Sequence, residues 1–470
     1  MTAALRSQPR LMRARERLAR ISESFESRLW PIPVAAVVVA VMAGILLPRI
    51  DLQVDGSLPD SIDSLIFNGG ADTARAVLSS IAGSLITATS LTFSLTVVAL
   101  QLASSQASPR VMRLFARDGH VHRTLAVFLG TFAYSITALR SVRSADQQVV
   151  EFVPRITVTM GFLLTLVSVV VLVFFLAHLA TQLRVETIMR EIHTDTEQTI
   201  RLVSDSNASL TAFASPVVRP ESTTHVLSPS SGFLTSRDRG TLLAFATSRS
   251  IVVEELARIG DNVVTGTPLA RWWVSTGESG DSDGAVDAAE VEDVVQRSIH
   301  ISYERTAAQD VDYGVQQLVD IALRALSPGI NDPTTASNVL GHLGAILTRT
   351  IGMPQLPKGI ADAAGQLRIV TDPRSETELL RLALSQIRHY GATDPQLVKR
   401  FLQVLSDLTY TSGGFGIGTG LKEQLDALEQ QLREAAPGDP AAVAILLQEC
   451  ANLRPRLNNL PADALAPPGG

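Results

Sequence analysis

The sequence predicts an α-helical membrane protein with four transmembrane helices, followed by a cytoplasmic α+β part that divides into a small β module and a helical domain. Three observations carry this. Between Arg75 and Arg110, thirty-four consecutive residues lack an ionisable side chain, more than the roughly 20 helical residues that cross a hydrocarbon core of about 30 Å. The mean hydropathy of the 470-residue chain is +0.22, and the apolar residues responsible are concentrated in its first two-fifths. Beyond residue 216 the texture changes to short apolar runs broken by glycines, and then to long amphipathic stretches of mixed charge.

Residues 1–29 form a basic segment, with Arg6, Arg10, Arg13, Arg15, Arg17, Arg20 and Arg28 against three glutamates. It reads as an orientation signal, or as an amphipathic helix lying on an anionic leaflet. The apolar run that follows ends at Pro48-Arg49 without a small-x-small cleavage site, so a retained anchor is expected. The transmembrane domain spans 30–183, with crossings at about 31–48, 76–102, 124–139 and 156–183. The third is short, about 24 Å at 1.5 Å per residue. Asp51, Asp55, Asp60, Asp63 and Asp72 mark the first loop as outside, whereas Arg110, Arg113, Arg117 and Arg123 return the chain to the basic side. Both termini are therefore expected in the cytoplasm.

One polar stripe runs down the second span. Ser80, Thr87, Ser94, Gln101 and Ser108 recur every seven residues, with Gly83 and Ser90 close to the same line. Such a face suits protein or water better than lipid. Hydroxylated and small residues are the material of helix contacts in membranes; a strict heptad also holds one face toward the axis of a left-handed supercoil. Packing alone and a lined path both fit. In the second case Ser80, Thr87, Ser90, Ser94 and Gln101 line it, with Arg110, Arg113 and Arg117 at the inner mouth.

Residues 184–215 read as a helical stalk. The β module, 216–273, contains apolar runs at Thr241 to Ala246, Ile251 to Leu256, Asn262 to Val264 and Pro268 to Trp273. Its phrase Gly260-Asp261-Asn262-Val263-Val264-Thr265-Gly266-Thr267-Pro268-Leu269 resembles the turn-strand-turn of barrel-sandwich hybrid modules. No lysine precedes Lys358, so an acylated carrier is excluded and a structural or ligand-sensing module remains. A linker, 274–290, rich in Gly, Ser and acidic residues, leads to a helical domain at 291–460. Asp332-Pro333, Asp372-Pro373, Asp394-Pro395 and Asp439-Pro440 read as helix starts, each with a capping carboxylate before a proline. A disordered tail is expected at 461–470.

The densest cytoplasmic polar stretch holds Arg305, Gln309, Asp310, Asp320, Arg324, Asn331 and Asp332. Its carboxylates and amide have the donor chemistry for a hard cation; a buried ion-pair network with helix caps uses the same residues, and an Asp320–Arg324 pair sits at i,i+4. The phosphate-loop, nucleophile-elbow and H-E-x-x-H phrases are all missing, and Cys450 stands alone. An enzyme is not expected, nor is a cofactor. The Gly413 to Gly420 run follows a helix, which removes the dinucleotide-fold context and leaves a mobile loop. A net charge of −6 supplies no basic field for nucleic acid.

The phrases Leu100 to Gln106 with Ser108-Pro109-Arg110, Gly130-Thr131-Phe132, Arg305-Thr306 with Gln309-Asp310, and Leu326 to Pro333 together resemble the DUF2254 family of bacterial predicted membrane proteins. The resemblance implies an inner-membrane protein with an N-terminal multi-span region and a cytoplasmic C-terminal part, and carries no activity with it. Two functions follow as expectations. One is a homo-oligomeric channel for inorganic ions with a cytoplasmic gating or assembly domain; the absence of charged residues within the spans favours passive permeation over proton coupling. The other is a membrane-anchored scaffold or ligand sensor without transport.

Overall fold

The computed structural model describes residues 30–54, 66–106, 119–143, 152–182, 184–275, 286–412, 417–434 and 440–460. Among them are thirteen helices and nine strands, divided between two compact units, Met1–Thr187 and Ile188–Gly470. The basic N-terminal segment, Arg110, Arg113, Arg117, Ser108, most of the linker and the tail lie outside the described residues.

The first unit holds α1 (Pro31–Val54), α2 (Ala71–Gln106), α3 (Gly119–Leu139) and α4 (Arg155–Gln182). Three are long and apolar enough to cross a membrane, over Pro31–Gln53, Ala71–Leu102 and Arg155–Gln182. The third expected crossing is different. Its helix begins Gly119-His120-Val121-His122-Arg123, and these polar residues in the first turn hold α3 below that apolarity.

Yet α3 is the packed centre of the unit. Phe128 and Tyr134 are each 1% exposed, and Tyr134 Oη donates to the Thr157 carbonyl of α4 at 2.8 Å. Helix directions follow from the contacts. Gly130 lies against Ala36 and Gly44 against Thr137, so α1 and α3 run parallel at close approach. Thr131 meets Ser168, 3.3 Å between hydroxyls, while Tyr134 meets Thr157, so α3 and α4 are antiparallel. Arg75 near the start of α2 donates to the Val142 carbonyl just beyond α3, which makes those two antiparallel as well.

One buried carboxylate locks this arrangement. Asp51, in the last turn of α1 and 5% exposed, accepts from the backbone N–H groups of Ile156 and Thr157 at 2.8 and 3.0 Å and from the Thr157 hydroxyl at 2.6 Å. It caps the N-terminus of α4 from a neighbouring helix, where free amides and the positive end of the dipole await an anion. The sequence reading placed Asp51 in an outside loop; the structure makes it part of the bundle.

The second unit begins within α5 (Val185–Ala208). Its β part has two sheets. The larger has strand order β1-β8-β9-β4-β6-β2, from β1 (Thr211–Ala212), β2 (Thr224–Leu227), β4 (Ile251–Glu255), β6 (Pro268–Val274), β8 (Gly359–Ala361) and β9 (Leu367–Val370). All neighbours are antiparallel except β4 and β9. The smaller sheet is β5-β3-β7, from β3 (Gly232–Arg237), β5 (Asn262–Val263) and β7 (Ile299–Ser302). Ile251, Val253, Ala270, Trp272, Ile360 and Ile369 form the core of the larger sheet.

Three local expectations are corrected. The run Thr241 to Ala246 is helical, inside α6 (Arg239–Ser248), because Asp238 caps it through the Thr241 amide at 2.9 Å and hydroxyl at 2.7 Å. The stretch beyond Val291 is not uninterrupted helix: α7 (Ala288–Arg297), α8 (Val311–Ala325), α9 (Pro333–Thr350), α10 (Glu376–Gly391), α11 (Pro395–Ser412), α12 (Gly418–Glu434) and α13 (Pro440–Asn458) share it with β7, β8 and β9. Asp372-Pro373 does not start a helix. Ser375 caps α10 instead, reciprocally with Glu378. Asp332 and Asp394 do cap, accepting from Thr335 N at 3.1 Å and Leu397 N at 2.8 Å, while Asp439 lies outside the described residues.

Candidate functional site

The polar stripe of α2 lies on its outward face. Ala71, Ala74, Leu78, Ile81, Ala82 and Leu85 turn into the unit's own core, whereas Ser80, Gly83, Thr87, Ser90, Ser94 and Gln101 are all exposed. These positions follow a 3-4-3-4 spacing down one side of the helix, the spacing of a coiled-coil seam. A side chain added at Gly83 would meet nothing within 4 Å. Large apolar side chains flank the seam, among them Ile86, Leu91, Phe93 and Val98, each about half exposed. The Thr87 hydroxyl donates to the Gly83 carbonyl at 3.0 Å, which satisfies it within the helix.

In the second unit the residues of the expected cytoplasmic cluster separate into groups. Arg305 and Asp310 form a two-bond ion pair at 2.6 and 3.0 Å, and Asp310, 3% exposed, also caps α8 through the Tyr313 amide. Gln309 accepts from the Arg237 backbone N–H at 3.0 Å, tying the stretch to β3. Asp320 lies ten residues further along α8, about 15 Å away, and accepts from Gln316. Arg324 sits in the last turn of α8 with its Nε buried and without a hydrogen-bond partner. Asn331 is exposed in the α8–α9 turn with a left-handed φ of 50°, and Asp332 caps α9. No single site gathers all seven.

What does converge on Arg305 and Asp310 comes from elsewhere. The turn before β5 presses its backbone onto the pair: a Cβ at Gly260 (φ +93°) would lie 2.6 Å from both Arg305 Nη2 and Asp310 Oδ2. Arg258, two residues earlier, pairs with Asp372 at 2.6 Å and with Glu378 at 3.4 Å. Arg374 pairs with Asp312 at 2.8 Å. Burial pushes the Asp312 carboxyl up to about 6 despite Arg374, with Asp310 adding to the rise. The first turns of α8 and α10 are thus bound to the turn before β5 by a network of arginines and carboxylates. Its chemistry is that of a clamp, since each of these carboxylates is already held by a guanidinium. Among the described residues no group of three or more His, Cys, Asp or Glu is arranged to hold a metal ion. Sequence reasoning missed Arg258, Arg374 and Glu378; the Ser375-x-x-Glu378 capping phrase was the one legible signal.

A second charged knot links β4 of the larger sheet to β3 of the smaller one. Glu255, within the fully buried strand β4, meets Arg237 at 2.9 Å and Arg239 at 2.8 Å. Burial alone raises its carboxyl, and the two guanidiniums overcome that and hold it below the ordinary glutamate range.

The family model for DUF2254, a predicted membrane protein, matches residues 26–407. Uncharacterized proteins of Mycobacterium tuberculosis and Mycobacterium bovis are 34% identical to this chain over 388 residues, 82% of this chain and 72% of each relative. No solved structure matches.

Proposed function

Since the chain belongs to the DUF2254 family of predicted membrane proteins, we propose that it acts in the bacterial inner membrane as a homo-oligomeric, passive ion-conducting pore. In this reading α2 lines the path, and the second unit is the cytoplasmic gating or assembly domain. The observation that carries it is the outward-facing heptad seam of Ser80, Gly83, Thr87, Ser90, Ser94 and Gln101. Hydroxyls and an amide facing lipid lose hydrogen-bonding options that water or a second copy supplies. Packed about a common axis, small residues at this spacing allow close approach, and their hydroxyls face the axis.

Helix directions support four crossings. Helices α2 and α4 run the same way, with α1 opposed; a chain that leaves α2 on one side must cross back before it enters α4. The 21 residues of α3, about 32 Å long, are the segment available for that passage. The arginines before Pro31 then put both termini in the cytoplasm. Arg110, Arg113 and Arg117, read from the sequence alone, are assigned to the inner mouth; facing the pore they would favour anions, and the positive-inside pattern accounts for them equally well. The seam itself is neutral and selects no sign. No catalytic step, cofactor or nucleic-acid partner enters this reading.

The intrahelical bond of Thr87 to Gly83 favours a second reading, in which the seam only packs copies together and the protein is a membrane-anchored scaffold or ligand sensor. Planar-bilayer recording separates the two. A pore gives unitary currents whose amplitude changes in Thr87→Leu and Ser94→Leu; silence from a well-folded oligomer leaves the scaffold.

A further inference from the structure

Only two residues separate the end of α4 from the start of α5, so α5 is the segment by which the second unit is joined to the membrane helices. Its seat within that unit is specific. Thr196 faces Gly314 of α8 so closely that a Cβ there would lie 2.0 Å from the Thr196 hydroxyl oxygen. Thr199 donates to the Ala307 carbonyl at 2.9 Å, and Asn207 to the Pro354 carbonyl at 3.0 Å. Just before the first of these contacts two imidazoles meet: His193 of α5 and His342 of α9, with ring centroids 5.0 Å apart and planes at 61°.

The surroundings of this pair are cationic. Arg190 lies on the same face of α5, and Arg349 of α9 reaches across to Glu197 at 3.5 Å. Arg400 of α11 lies over Gly341, the residue before His342. Glu197 is the counter-charge, shared by His193 at 3.8 Å, by Arg201 at 3.7 Å and by Arg349. Glu191 and Asp195 complete the titratable groups of this stretch of α5. His193 Nδ1 is buried without a hydrogen-bond partner.

We propose that the His193–His342 contact is a proton-sensitive latch: it holds α5 on α8 and α9 while the His342 ring is neutral, and releases α5 when the cytoplasm acidifies. A protonated His342 adds a cation to a face that already carries Arg190, Arg349 and Arg400, and the Glu197 carboxylate is shared with Arg201 and Arg349. Burial, His193 and Arg190 each keep His342 below the ordinary histidine range. A base so depressed stabilises the docked state above its unfolded pKa and loses that contribution as pH falls. The latch is independent of what α2 lines.

Hydrogen exchange of the α5 amides in the full-length protein in lipid nanodiscs tests it, corrected for intrinsic rates, at about pH 7.5 and about pH 5.5 on either side of the ordinary histidine value. Wild type loses protection in α5 by roughly tenfold or more at the lower pH, with the core amides of α11 unchanged. His342→Gln stays protected at both values, and His342→Arg is unprotected at both. Should His342→Arg fail to fold, His193→Gln replaces it and also abolishes the pH response. An equal loss in His342→Gln, or full protection of wild type at about pH 5.5, overturns the latch.

Discussion

Substituting Gly260 by alanine tests whether the Arg305–Asp310 pair is a real clamp. Two costs add at this position. Its φ of +93° is open to glycine and disfavoured for an L residue by about 1–2 kcal/mol. The new methyl also lands 2.6 Å from Arg305 Nη2 and from Asp310 Oδ2. Since Asp310 is 3% exposed and holds both the guanidinium and the α8 cap, the pair must shift or part, and full separation of a buried pair sets an upper bound of about 3–5 kcal/mol. The sum is at most about 4–7 kcal/mol. Gly266 supplies the control, because its φ is +80° but nothing lies within 4 Å of its added Cβ; Gly266→Ala should lose only about 1–2 kcal/mol. Trp272 and Trp273, 7% and 8% exposed in β6, report unfolding of this unit by fluorescence in urea. Equal midpoints for the two variants would refute the reasoning, since only the clamp distinguishes them.

Other outcomes follow from single groups. Asp312, held near 6 against an ordinary 3.8, prefers its neutral form in the fold. Its contribution is therefore present below about pH 4 and declines by up to about 3 kcal/mol as pH rises to about 6; Asp312→Asn removes that slope from urea midpoints measured across the window, and an unchanged slope counts against the assignment. Asp51→Ala strands two amides and a hydroxyl at the start of α4, a loss of about 1–3 kcal/mol that a helical circular-dichroism melt in detergent reads as a lower Tm. An unaltered Tm would remove Asp51 from the bundle.

The membrane part was legible because lipid imposes a simple code: long charge-free runs became α1, α2 and α4. The third helix was found too, but its polar first turn hid how deeply the rest is buried, since burial against other helices leaves no mark in hydropathy. In the soluble unit, local chemistry was readable where it is self-contained, as at the Asp332 and Asp394 caps. It misled where two periods coincide: Thr241 to Ala246 has apolar residues enough for a strand, and the Asp238 cap decided for helix. Strands β8 and β9 were missed because three or four residues carry no period, and β9 joins the sheet through β4, about a hundred residues away. Long-range partners explain the site as well. Arg305 and Asp310 were found as neighbours in sequence, whereas the Arg258–Glu378 and Arg374–Asp312 pairs beside them form only through the fold.

The outward seam of α2 is tested most directly by its contact with water. Cys450 is fully buried, and burial pushes its thiol up to about 12, so single cysteines can be placed in the native chain and labelled with a charged, membrane-impermeant thiol reagent. A shared aqueous path predicts rapid labelling at Ser80→Cys, Thr87→Cys and Ser94→Cys, with Val170→Cys and Val173→Cys on the exposed apolar face of α4 silent. Unreactive cysteines at all three seam positions, in protein that still assembles, would contradict it.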